Sequence, residues 1–124
     1  MKRILVIDDD EAFRRVFADT LVRAGYQVLT AENGVVALKL FRAQPVDLVI
    51  TDLVMPEKEG IETMLELRKL QPSLKIIVMS GGGRVDPTDY LPMAKQLGAS
   101  KTLAKPFKSE EMLHAVADLL AQPS

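Results

Sequence analysis

The chain of 124 residues has no cysteine, no tryptophan and a single histidine, His114. Without cysteine there can be no disulfide, no thiolate nucleophile and no cysteine-type zinc site. One histidine argues against histidine metal clusters and histidine-dependent triads. Neither sign of charge dominates: 16 basic against 17 acidic residues leave a net charge of −1, so no global basic field points to nucleic acid or an acidic lipid surface. No apolar run approaches the roughly 20 residues that span a bilayer. Met1-Lys2-Arg3-Ile4 enters a strand at once and leaves no room for a signal-peptide core. The expectation is a soluble cytoplasmic protein that binds neither membrane nor nucleic acid directly.

What is present is ordinary globular composition, 48% hydrophobic and 27% charged, in a length that suits one domain. Ile4-Leu5-Val6-Ile7 reads as a buried strand, ending in Asp8-Asp9-Asp10. Phe13, Val16, Phe17, Leu21 and Ala24 are spaced for one helix face, stopped by Gly25. Gln27–Thr30 is a second strand. Asn33 caps a second helix carrying Val36, Ala37, Leu40 and Phe41, and Gln44-Pro45 ends it. Leu48-Val49-Ile50 is an unbroken apolar run, the mark of a central parallel strand covered on both faces, and it leads to Asp52.

Beyond Pro56 and Gly60, Ile61, Met64, Leu65 and Leu67 mark a third helix. Ile76–Met79 is a fourth strand, followed by Ser80-Gly81-Gly82-Gly83. A fourth helix starts near Thr88 or Asp89, with Pro92 in its first turn and Gly98 after its end. Thr102-Leu103-Ala104 is a short fifth strand. Ser109 caps a fifth helix, buried through Met112 or Leu113, Val116, Ala117 and Leu120. Five strands alternating with five helices predict an α/β fold, (βα)5, with a parallel sheet and helices on both faces. Right-handed crossovers put the carboxyl ends of all strands on one edge.

That edge collects Asp8 and Asp9 from the first strand, Asp52 from the third, Ser80 from the fourth and Lys105 from the fifth. In a flavodoxin-like order, 2-1-3-4-5, the first and third strands are neighbours beside the switch point where ligands bind. Three crowded carboxylates need a proton or a cation. Oxygen donors without nitrogen or sulfur suit Mg2+, or Mn2+. Lys105 adds a mobile cation, Ser80 a hydroxyl, and Gly81-Gly82 backbone N–H groups. Phosphoryl transfer relies mostly on positioning and charge neutralisation, and a carboxylate can itself be the nucleophile. Asp52 is the central candidate.

Over essentially its whole length, 1–124, the chain resembles a response-regulator receiver domain of two-component signalling. The resemblance rests on Ile7-Asp8-Asp9-Asp10, Asp52-Leu53-Val54-Met55-Pro56, Met79-Ser80-Gly81 and Lys105-Pro106-Phe107, in order and each on its expected strand. It implies a phospho-accepting switch with Asp52 as acceptor and a histidine kinase or phosphotransfer protein as donor. Asp9, Asp52 and the Val54 carbonyl would hold Mg2+, with Asp8 assisting through water. Ser80 and Lys105 would contact the phosphoryl oxygens. Phosphorylation would shift the face of the fourth helix, fifth strand and fifth helix toward an unidentified downstream protein. The chain would then be no enzyme beyond catalysing its own phosphorylation and dephosphorylation. It would be a monomer or weak homodimer, with no output domain in this chain.

Two positions depart from the family pattern. Thr102 stands three before Lys105, where receivers usually carry a switching aromatic, and the segment from Ser80 to Lys105 is a few residues longer than is typical, the extra length falling in Gly82–Pro87. Plainer readings exist for several residues. Asp10 is a helix cap, and Asp8 and Asp9 alone could serve helix capping as well. Ser80 and Gly81–Gly83 could be turn formers, and Lys105-Pro106 a strand stop. His114 is a surface residue, the six methionines fill core gaps, and Arg14-Arg15 form a solvated face too small for nucleic acid. Two rival functions are an aspartyl-nucleophile phosphatase and a flavodoxin-like nucleotide binder. Val54 offers no general acid to the first, and the negative edge speaks against the second.

Overall fold

The alternation of apolar runs and amphipathic segments produces nine elements in the computed structural model, which describes residues 1–52, 57–80 and 98–121, with backbone alone at 57–61 and 80. In chain order they are β1 (Arg3–Ile7), α1 (Glu11–Arg23), β2 (Gln27–Ala31), α2 (Gly34–Ala43), β3 (Leu48–Asp52), α3 (Glu57–Leu70), β4 (Lys75–Ser80), β5 (Lys101–Ala104) and α4 (Ser109–Ala121). The sheet is parallel throughout, in the order β2-β1-β3-β4-β5. This is the flavodoxin-like architecture expected from the sequence. The helix expected after Thr88 lies outside the described residues, as do Val54, Gly81–Gly83 and the Gly82–Pro87 stretch.

Side chains along each strand alternate between faces, which splits the core in two. On one face Leu5, Ile7, Val49, Ile76 and Val78 pack with Ala37 and Phe41 of α2 and with Met64 and Leu67 of α3. On the other, Ile4, Val6, Ile50, Ile77 and Met79 pack with Phe17 and Leu21 of α1 and with Met112, Val116 and Leu119 of α4. All five residues of β3 are buried, because β3 lies mid-sheet with helices on both sides. Each buried aliphatic side chain contributes on the order of 2 kcal/mol.

The helix ends follow local rules. Asp10 Oδ1 accepts from Phe13 N–H at 3.1 Å and Asn33 Oδ1 from Val36 N–H at 2.9 Å, so both act as N-caps. Gly25 follows α1 at φ +100°, a conformation costly to other residues. Gly98 has φ +106°, and a Cβ there would meet the Arg68 guanidinium at 3.2 Å. Arg68 donates to the Pro72 carbonyl at 2.9 Å and also to the Gly98 carbonyl, fastening the end of α3 to the approach to β5. Ser109 is already inside α4 rather than its cap, a one-residue shift of boundary.

Some buried faces differ from the expected ones. Val16 is 69% exposed, and Ala24 and Leu65 are also exposed, because the Phe17–Leu21 and Met64–Leu67 lines face the sheet. The buried stripe of α4 is Met112, Ala115, Val116 and Leu119, with Ala117 exposed. Alanine fits either face, so the pattern left the helix rotation open.

Thr51 carries a buried Oγ1 with no hydrogen-bond partner among the described residues. An unmet buried hydroxyl costs on the order of 1–3 kcal/mol. Thr51→Val keeps the shape and removes the unmet group. It is expected to raise unfolding stability by about 1 kcal/mol, read from denaturant midpoints at unchanged slope.

Candidate functional site

Strand order brings the candidate residues together. β1 and β3 are neighbours, with Ile7 opposite Thr51, so Asp8 leaves β1 beside Asp52. β4 follows, with Asp52 opposite Met79, and Ser80 pairs with Ala104 on β5. Lys105 comes immediately after. Carboxylate oxygens of Asp8, Asp9 and Asp52 lie within 4.8 Å of one another. Asp8 and Asp52 are buried and Asp9 is exposed. The Lys105 ammonium bridges the two buried acids, 3.1 Å from Asp8 Oδ2 and 3.0 Å from Asp52 Oδ2. Ser80 ends β4 on the same edge. Thr102 is half-buried on β5 opposite Val78, set back from that edge.

The backbone around Asp8 is tied on every side. Its N–H donates to the Ala31 carbonyl at 3.1 Å, and its Oδ1 accepts from Asp10 N–H at 2.9 Å. Its carbonyl accepts from the Arg14 guanidinium at 2.7 Å. Arg14 therefore departs from the solvated face expected of Arg14-Arg15: it is half-buried and fastens the turn that carries the acids, while Arg15 is exposed. Its place one turn beyond the Asp10 cap is the sequence signal for this contact. Phe13, assigned only to a helix stripe, lies against Lys105.

Burial pushes the Asp8 carboxyl above its usual range, against the Asp10 N–H and the Lys105 ammonium, which favour the charged form. Lys105 moves the other way in stability terms. Burial opposes its charge, but hydrogen bonds and attraction from Asp52 and Asp8 outweigh this and raise its pKa. The two shifts reconcile because one ammonium serves two carboxylates: the lysine gains both partners, whereas Asp8 shares its cation and lies near a second negative charge.

For Asp8, protonation is favoured in the folded state. That contribution to stability is present below the unfolded pKa near 3.9 and is lost as pH rises through the folded value. Ionised Asp8 thus weakens the metal-free fold at neutral pH. Asp8→Asn keeps the oxygen acceptor for Asp10 N–H and removes the charge. The variant is expected to melt higher than wild type at pH 7 without divalent cation, by a margin that shrinks toward pH 4. Thermal melts across that range test this, and an equal margin at both ends would contradict it.

Sequence and structure comparisons place the chain in a family. Residues 4–117 match the family described as response regulator receiver domain. The chain is 34% identical over 122 residues to response regulator receiver protein CpdR of Brucella abortus, covering 97% of this chain and 98% of that protein. It is 33% identical over 119 residues to transcriptional regulatory protein GlrR of Escherichia coli, but spans only 26% of that protein's length. Among solved structures, response regulator TrrA of Thermotoga maritima in complex with Mg2+–BeF gives a TM-score of 0.83 at 36% identity, covering 96% of this chain and 99% of that one.

Proposed function

This chain belongs to the response regulator receiver domain family, and on that premise we propose that it is a signalling switch that takes a phosphoryl group onto Asp52. The observation that carries the reading is the meeting of Asp8, Asp9 and Asp52 with the Lys105 ammonium at one sheet edge. The donor set fits a hard divalent cation, since it offers three carboxylates and neither nitrogen nor sulfur. Asp9, Asp52 and the Val54 carbonyl would hold Mg2+, with Asp8 acting through water, and Mn2+ suits the same donors. When bound, the ion offsets carboxylate repulsion and the charge of phosphoryl oxygens.

The chain's own residues account for the rest. A carboxylate oxygen of Asp52 attacks phosphorus, the phosphorus–nitrogen bond of a donor phosphohistidine breaks, and the imidazole leaves with its electron pair and takes up a proton. Lys105 exchanges its carboxylate contacts for phosphoryl oxygens, and the Ser80 hydroxyl donates to another. Water attack on phosphorus returns the Asp52 carboxylate and inorganic phosphate. The chain acts on no substrate but itself. The donor is a histidine kinase or phosphotransfer protein. The output is a repacking of β5, α4 and the segment before β5 against a downstream protein, with Thr102 contributing no aromatic swing.

Incubation with Mg2+ and acetyl phosphate is expected to add one acid-labile phosphoryl group, located to Asp52 by peptide mass analysis and absent in Asp52→Ala. Label persisting in that variant would remove Asp52 as acceptor. Multiple turnover on a generic phosphoester would favour the phosphatase reading.

A further inference from the structure

The Lys105 ammonium has a neighbour besides the two acids: it stands 4.2 Å from the centroid of the Phe13 ring. Phe13 lies in the first turn of α1 and is half-buried. Its ring is fixed from two sides. Phe17 is one turn on, at 5.4 Å between centroids and an angle of 36°. Phe107, two residues beyond Lys105, meets both rings edge-on, at 6.4 Å and 86° to Phe13 and 6.0 Å and 87° to Phe17. Edge-to-face contacts of this kind hold rings in defined orientations, so one ring face is presented to the ammonium.

A cation over a ring face is attracted by the ring's quadrupole, more strongly where water is excluded. The Lys105 side chain is 19% exposed, which places this contact toward the desolvated end. A lysine stem has several rotors and loses their freedom when its head is held. Two carboxylates attract the ammonium at 3.1 and 3.0 Å, and the ring face at 4.2 Å is a third contact that limits its swing.

We propose that Phe13 is a positioning residue for Lys105, its ring face holding the ammonium beside Asp52 where an incoming phosphoryl group meets it. The inference rests on the phospho-acceptor reading above and extends it to a residue outside the acid cluster. Leucine at position 13 would fill much of the same space without a quadrupole, whereas tyrosine would keep the ring face.

The test is a double-mutant cycle of Phe13→Leu and Lys105→Met, with Phe13→Tyr as the conservative control, followed by two readouts. The first is the rate of Asp52 phosphorylation by acetyl phosphate with Mg2+. Phe13→Leu is expected to slow it about fivefold and Phe13→Tyr to leave it near wild type. In the Lys105→Met background, Phe13→Leu should add no further loss. An equal loss in both backgrounds would mean that Phe13 acts only on the fold, and would overturn the proposal. The second readout is the NMR shift of the Lys105 ε-methylene protons in metal-free wild type, which needs no variant. Ring current should move them upfield of the other lysines, and the displacement should disappear in Phe13→Leu. Protons at the ordinary lysine position in wild type would overturn the contact itself. A wild type that accepts no phosphoryl group but shows the upfield shift would remove the phospho-acceptor reading and, with it, the catalytic sense of the positioning, while leaving the contact in place.

Discussion

Lys105→Met is expected to destabilise the metal-free protein by about 2–3 kcal/mol, roughly 10 °C in melting temperature for a domain of this size. The side chain is similar in length, so the loss is electrostatic rather than one of volume. Asp8 and Asp52 are buried, and both face the ammonium within 3.1 Å. Removing the cation leaves two enclosed acids facing each other. Breaking a buried pair in this way costs more than the pair's net worth, because the remaining acids lose the cation they share. Asp8 has a route of relief, since burial already raises its pKa, and taking up a proton limits the cost. The sign with pH follows from Lys105 itself. Its pKa is raised in the fold, so its contribution is present below the unfolded value near 10.4 and lost only as pH climbs through the folded one. The deficit of the variant should therefore persist at pH 7. Millimolar Mg2+ should narrow the gap by supplying the missing positive charge, since an ion that binds only the folded state stabilises it. A variant that melts with wild type in the absence of metal would show that the bridge does not stabilise the fold.

Ile50→Ala is the second large effect, expected to cost about 3–4 kcal/mol. Ile50 is fully buried in β3, packed in the cluster that includes Phe17, Met79 and Val116. Truncation removes three carbons and leaves a cavity between the sheet and two helices that cannot both close on it. Against the total of about 5–15 kcal/mol typical of a domain, this is a large share. Ile50 lies two residues before Asp52 and points to the same face. The damage should therefore reach the site as well as the fold. Chemical denaturation at constant slope measures the first. A cost under about 1 kcal/mol would mean that the core relaxes into the gap.

The site was more legible in the sequence than its surroundings, for a physical reason. Leu48-Val49-Ile50 could only be a strand buried on both faces, and Asp52 closes it, so topology alone placed the carboxylate on the edge. Asp8 follows from β1 in the same way, and Lys105 from β5. Parallel βα units leave each strand end little freedom. Side-chain contacts between elements were another matter. That Arg14 reaches back to the Asp8 carbonyl, and that Phe13 faces Lys105, depends on where the first turn of α1 sits over the sheet. Helical spacing sets neither the rotation nor the translation of a helix. The same limit misassigned Val16 and Ala117, which have apolar side chains at plausible spacing yet face outward. Ser80 closes β4, one residue beyond the expected end of that strand, and Thr102 lies on β5 as expected, while Val54 and the glycine-rich stretch after Ser80 lie outside the described residues.

The proposed switch depends on three acids from two adjacent strands sharing one divalent cation, with Lys105 yielding to it. Titrating Mg2+ into isotope-labelled wild type while following Asp carboxyl and Lys105 ammonium signals by NMR addresses this directly. One ion per chain, with saturating shifts confined to Asp8, Asp9, Asp52 and Lys105, is the expected result. Titration to several millimolar Mg2+ without shifts at those residues, or with shifts centred elsewhere on the molecule, would contradict it.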